Sequence, residues 1–144
     1  MSTKHELDIL YMDKAYLNSK MSRGIRLKVG AVCVTPSFVE LSGWNGTPRG
    51  RDNSLEFINE DGEYITKPEV IHAELNCIMK AAEQGVSVRS SCMYITHAPC
   101  LHCAGMMVQC CIKRVVFSEH YKDEKGIDLL RSCGVECLQL LQKG

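Results

Sequence analysis

The sequence predicts a three-layer α/β/α sandwich built on a mixed five-stranded sheet. Segments with strand and helix patterning alternate through the second half of the chain, which implies parallel strands joined by helical crossovers. Near the start, two strand-like runs flank a Pro36-Ser37 turn, which implies an antiparallel hairpin. A short helical segment stands between the last two strands. Without it, those strands would close as a hairpin.

Residues 5–21 carry Leu7, Leu10, Tyr11, Ala15 and Leu17 near helical spacing, so an amphipathic helix buries that set. Residues 22–28 break the pattern with Arg23, Arg26, Lys28 and a glycine. They read as a solvated basic loop or as an anion-binding one. Residues 29–35 are β-branched and nearly all apolar, as suits a central strand. Residues 38–44 are its hairpin partner. Residues 43–50, rich in Gly and Pro, form a shaped loop around Asn45. Asn tolerates left-handed backbone and can present its amide to a ligand. Residues 51–68 are polar without a clear period, a long loop of the kind often found at functional sites, with a short hairpin at Asp61-Gly62.

Residues 69–84 form a helix on Leu75, Ile78, Met79 and Ala82, and Gly85 ends it. His72 and Glu74 then fall in its first turns. Residues 91–96 are the third strand, and residues 97–99 lead into a helix over 101–111, with Pro99 suited to its first turn. Residues 114–118 are the fourth strand and 119–125 a charged loop containing Tyr121. Residues 126–133 form the short helix and 136–141 the fifth strand. Nothing repeats, and residues 5–141 are expected to form one domain.

The length suits one sizeable core. Seventeen basic residues balance seventeen acidic ones. A non-specific nucleic-acid binder would be basic overall, so a small substrate is expected and nucleic acid is not. No apolar run is long enough to span a membrane, and no basic start leads into an apolar leader. Nine cysteines, an odd number, then read as reduced thiols in a cytoplasmic protein, two of them on metal. The adjacent Cys110 and Cys111 read as core packing.

Two short stretches carry chemistry: His72-Ala73-Glu74 and Pro99-Cys100-Leu101-His102-Cys103. Zinc takes N and S ligands in a tetrahedron, and a catalytic zinc keeps one of the four positions open for water. His72, Cys100 and Cys103 fill three positions. Glu74, two residues past His72, is left to move protons. H-x-E followed by P-C-x-x-C marks the zinc nucleobase deaminases. A buried histidine and two core cysteines would leave Glu74 unexplained.

The likeness reaches further. Val29-Gly30-Ala31-Val32, Gly43-Trp44-Asn45-Gly46-Thr47-Pro48, Ile71-His72-Ala73-Glu74-Leu75-Asn76, and Met93-Tyr94-Ile95-Thr96 ahead of Pro99-Cys100 resemble the deoxycytidylate (dCMP) deaminases. The resemblance implies a cytidine-deaminase-like fold and zinc-dependent hydrolysis of dCMP to dUMP and ammonia, supplying dUMP for dTMP synthesis. It implies that the Ala73 N–H holds the pyrimidine carbonyl, that the backbone near Ala98 accepts from the amino group, and that Asn45 binds the sugar or base. It further implies a homo-oligomer, a hexamer, packed through helix-rich faces. Many members are activated by dCTP and inhibited by dTTP. Some carry a second, structural zinc ahead of the H-A-E helix. Residues 51–71 here contain neither Cys nor His, so one Zn2+ per chain is expected.

A phosphate suits the planar fork of arginine, which assigns the substrate's monophosphate to Arg23, Arg26 and Lys28, with Tyr121 adding a hydroxyl or covering the ring. An effector site is expected beside Gly43, Trp44 and Gly46, with Arg49 and Arg51 meeting a triphosphate. An ordinary surface loop is the plainer reading. Two other functions fit the metal motif: a zinc deaminase for another base (cytosine, guanine or a tRNA adenosine), and a zinc-stabilised binding module in which His102 or a neighbouring Cys is the fourth ligand.

Overall fold

A computed structural model describes residues 2–142. Helix α1 (Lys4–Ser19) opens the chain, capped by Thr3, whose hydroxyl accepts from the Glu6 N–H while the Glu6 carboxylate accepts from the Thr3 N–H. The elements that follow are β1 (Gly30–Val34), β2 (Glu40–Trp44), β3 (Glu56–Ile58), β4 (Tyr64–Thr66), α2 (Ala73–Gln84), β5 (Cys92–His97), α3 (Leu101–Gln109), β6 (Arg114–Glu119), α4 (Lys125–Ser132) and β7 (Glu136–Gln139).

The main sheet runs β2-β1-β5-β6-β7. Strand β1 is antiparallel to β2 and β5, whereas β5, β6 and β7 are mutually parallel. This is the expected mixed five-stranded sheet, with α3 and α4 as the crossovers. Strands β3 and β4 make a separate hairpin with Gly62 at φ +78, which is the Asp61-Gly62 turn.

Strand residues alternate between two cores, as the period of two requires. Ala31, Cys33, Met93, Ile95, Val115 and Phe117 face one way, against α2, α3 and α4. Val32, Val34, Tyr94 and Val116 face the other, against Tyr11, Met12 and Ala15 of α1. One helix therefore covers one face and three cover the other.

Several boundaries differ from the sequence reading. On α1, Leu10 and Leu17 are exposed, and Asp8 and Met12 take the inward positions. Asp8 goes inside because Arg114 meets it there: Nη1 and Nη2 donate to Oδ1 and Oδ2 at 2.7 Å each, and the Tyr94 hydroxyl donates to Oδ1 at 2.6 Å. Helix α3 stops at Gln109 because Cys111 turns to φ +62. Pro99 lies just ahead of the N-cap, Cys100, instead of within the first turn. Strand β7 ends at Gln139, and Leu141 is exposed.

Candidate active site

Helix α2 begins at Ala73, later than the periodicity of residues 69–84 suggests. The backbone of Ile71 is committed to Gly46, giving its N–H at 2.8 Å and receiving the Gly46 N–H at 3.1 Å, so it cannot enter a helix. His72 becomes the N-cap in extended geometry, φ −70 and ψ 156, and its side chain caps nothing. Cys100 is likewise the N-cap of α3, at φ −73 and ψ 170, with no side-chain capping bond. Both side chains are free for other partners, and the positive ends of two helices face one spot.

At that spot His72 Nδ1 lies 3.6 Å from Cys100 Sγ and 3.3 Å from Cys103 Sγ. All three donor atoms lie within 4.8 Å of one another. A tetrahedral zinc with ordinary bond lengths would place N and S about 3.5 Å apart, so the three residues fit the ion. Hydrogen bonds from Cys103 and His72 hold the Cys100 thiol down, at about 3, while the same Cys103–Cys100 bond and burial push Cys103 up. A metal takes both sulfurs as thiolates and releases any proton they hold. His102 is exposed and stands outside the cluster.

Glu74 sits in the first turn of α2, almost wholly buried, and burial pushes its carboxyl up to about 7 against the lowering effect of its own backbone N–H and of His72. A divalent cation beside it would pull that value back down. Two glycines let these pieces approach. A side chain on Gly126 of α4 would strike the carbonyl oxygen of Pro99, and one on Gly43 of β2 would strike that of Ala73.

His72, Ala73, Glu74, Ala98 and Cys100 open into a cavity of about 540 Å3. The Ala73 N–H, at the first helical position, has no intrahelical partner. Asn45, Arg26 and Tyr121 also line this cavity. Asn45 is not in the left-handed region. Its amide braces the neighbouring loop, with Oδ1 accepting from the Val29 N–H and Nδ2 donating to the Leu27 carbonyl, each at 2.9 Å. One Nδ2 hydrogen remains beyond that brace.

Not every expected residue is brought here. Arg23 lines a smaller cleft with Trp44 and Asn53, and exposed Lys28 lines neither cavity. The residues between Ser22 and Val29 run past the mouth, so only one of the three cations faces in. Sequence reasoning missed His97, His120 and Lys122, which also line the cavity. The available signal was position alone: His97 is the last residue of β5 and His120 and Lys122 come shortly after β6, at the carboxyl ends of parallel strands, where open α/β sheets bind ligands. It also missed Glu56 and Thr66 of the β3–β4 hairpin.

A second cavity of about 420 Å3 lies on the other side of the Asn45 loop, lined by Gly43, Trp44, Gly46 and Arg49 with Lys80 and Asn76 of α2. The Lys80 ammonium stands 5.4 Å from the Trp44 ring centroid, and the Asn76 amide donates to the Trp44 carbonyl at 2.7 Å. Arg51 is not brought to it and pairs with Glu69 at 3.1 Å.

Residues 5–119 match the sequence model of the cytidine and deoxycytidylate deaminase zinc-binding region. The chain belongs to this deaminase family. It is 31% identical to the deoxycytidylate deaminase of Enterobacteria phage T4, over 90% of this chain and 87% of the phage protein. It is also similar to the dCMP deaminase of cyanophage S-TIM5, solved in complex with dCMP and dUMP. That likeness has a TM-score of 0.88 at 39% identity, over 96% of this chain and 100% of the other. The human deoxycytidylate deaminase is 35% identical over 78% of this chain and 65% of its own length. The deaminase metal centre is a zinc one, and His72, Cys100 and Cys103 are the residues that fit it.

Proposed function

We infer that this chain hydrolyses dCMP to dUMP and ammonia, supplying dUMP for dTMP synthesis, with residues 5–141 acting as one deaminase domain. The observation that carries the reading is one cavity holding a zinc-fitting cluster, a buried carboxylate beside it, and Arg26, Tyr121 and Lys122 on the same lining. The likeness to phage dCMP deaminases supports the choice of base and sugar phosphate.

Zinc, when held by His72, Cys100 and Cys103, makes a water acidic enough to lose a proton near neutral pH. Glu74 takes that proton and passes it to ring N3 as the water oxygen adds to C4. The carboxylate, free again, then takes the proton of the new C4 hydroxyl and delivers it to the exocyclic amino group, so that the C4–N bond breaks, ammonia departs and the uracil carbonyl is left. The Ala73 N–H holds the pyrimidine carbonyl, and the Ala98 backbone accepts from the amino group, which keeps C4 presented to the incoming oxygen. Asn45 offers its remaining amide hydrogen to the sugar or base. Arg26 carries the phosphate, helped by Tyr121.

The cavity at Trp44 and Arg49 is the place for dCTP and dTTP. Gly46 is bonded to Ile71, next to His72, and Asn45 lies between the two cavities, so an effector that orders this loop acts on both. A groove between α2 and α3 exposes Met79, Leu101 and Met106, and a hexamer would bury it against other copies. No helix among the described residues is long and apolar enough to cross a membrane, and all nine cysteines are free, in keeping with a cytoplasmic enzyme.

The deciding experiment is ammonia release from dCMP, deoxycytidine, cytosine, guanine and a tRNA under one set of conditions. Turnover of another substrate with none of dCMP would overturn the reading. Rate-versus-dCMP curves should be sigmoidal alone, hyperbolic with dCTP and suppressed by dTTP. A hyperbola indifferent to both removes the effector site and leaves the chemistry. Sedimentation at working concentration tests the hexamer.

A further inference from the structure

Glu56 is a buried carboxylate that the chemistry above does not use. It is 8% exposed, and its hydrogen-bond donors are two consecutive main-chain N–H groups, not a cation. Its Oε2 accepts from Ile25 at 2.9 Å and from Arg26 at 3.0 Å. Thr66 stands directly opposite Glu56 in the hairpin register, and its hydroxyl accepts from Arg26 Nη1 at 3.3 Å. One rung of the β3–β4 hairpin therefore grips Arg26 at both ends, backbone and guanidinium. All three residues line the cavity that holds His72 and Glu74.

We propose that Glu56 is a positioning residue for phosphate recognition: with Thr66 it fixes Arg26 in place before the substrate arrives. The proposal rests on the reading that Arg26 receives the monophosphate. An exposed arginine on a loop would have to give up its freedom on binding, and fixing it beforehand removes part of that cost. A carboxylate suits the task because it accepts two N–H groups at once with charge-assisted strength. Thr66 occupies one guanidinium donor of five, which leaves a fork for phosphate oxygens. The long polar segment between β2 and α2 thus has a defined job, carried by its short hairpin.

The test compares Glu56→Ala, Glu56→Gln, Arg26→Ala and the Glu56→Ala/Arg26→Ala double variant on dCMP and on deoxycytidine, each checked for zinc content and melting temperature. Glu56→Ala should raise KM for dCMP about ten- to a hundredfold, change kcat far less, and scarcely alter efficiency on deoxycytidine. Glu56→Gln keeps a side-chain oxygen able to accept both N–H groups and should restore KM to within a few-fold. The double variant should be no worse on dCMP than Arg26→Ala alone. Equal losses on both substrates, or a Glu56→Ala loss that adds in full to that of Arg26→Ala, would overturn the positioning role. Arg26→Ala separates the two ideas. If it leaves discrimination between dCMP and deoxycytidine intact, the phosphate reading of Arg26 fails. If it abolishes discrimination while Glu56→Ala does not, only the role of Glu56 fails.

Discussion

Truncating Asp8 to alanine should destabilise the protein without touching the active site. The change removes both acceptors of the Arg114 guanidinium, each at 2.7 Å, and the acceptor of the Tyr94 hydroxyl. Asp8 is 2% exposed and Arg114 7%, so the pair is largely withdrawn from water. Leaving one member of a buried pair alone costs about 3–5 kcal/mol. Glu136 Oε2 lies 2.7 Å from Arg114 Nε as an ion pair, but its side chain is 59% exposed, so it compensates only from the solvent edge. The loss should fall at about 3 kcal/mol, or roughly 10 °C in melting temperature for a chain of this size. Denaturant and thermal unfolding of the zinc-loaded protein measure it. Acid gives a second check. Burial alone would raise the Asp8 carboxyl, but hydrogen bonds from Arg114 and Tyr94, with the charges of Arg114 and Lys4, hold it below the usual range. Its folded value is thus below its unfolded one. Its contribution is complete above about pH 4 and is lost as pH falls through the folded value. The gap between parent and variant should therefore narrow below about pH 4. Replacing both members of the pair by apolar side chains, Asp8→Leu with Arg114→Met, should recover most of the stability at about pH 7. A variant within about 1 kcal/mol of the parent, or a gap indifferent to acid, would refute the reasoning.

Glu74→Gln should keep its zinc and lose about 10²–10⁴-fold in turnover, read by metal content and ammonia release on the same sample. Cys100→Ala should lose the metal itself, because three ligands become two. Gly126→Val should drive α4 into the Pro99 and Cys100 carbonyls, lowering zinc occupancy in a variant that changes no ligand. Metal analysis of the purified chain should give one zinc, and a ratio of two would overturn that count. Chelation should lower the melting temperature and added zinc restore it, since the ion binds only the folded arrangement and free metal at about 100 times its dissociation constant is worth about 2.7 kcal/mol.

The architecture was legible because its cues are local. Alternating strand and helix patterns, the Pro36-Ser37 turn and the helix ahead of β7 can each be read within a few residues. The metal cluster was legible because Cys100 and Cys103 share one turn and His72 comes with Glu74. What was not legible depends on pairings between distant residues. The late start of α2 follows from Gly46 bonding Ile71, and the inward Asp8 from an arginine on β6, more than a hundred residues away in sequence. The inward face of α1 is Asp8, Tyr11, Met12 and Ala15 at i, i+3, i+4 and i+7, and Leu10 and Leu17 fall outside that stripe. Arg23, Arg26 and Lys28 look equivalent in sequence, and the hairpin contacts that single out Arg26 come from about thirty to forty residues away.

His72, Glu74, Cys100 and Cys103 come from the starts of α2 and α3, whereas His120, Tyr121 and Lys122 of the cavity wall follow β6, and Gly126 seats the loop that carries Cys100. The bond-breaking groups and the far wall of the pocket thus belong to different stretches of chain. A substitution in the segment after β6 reshapes that wall and leaves His72, Glu74, Cys100 and Cys103 where they are.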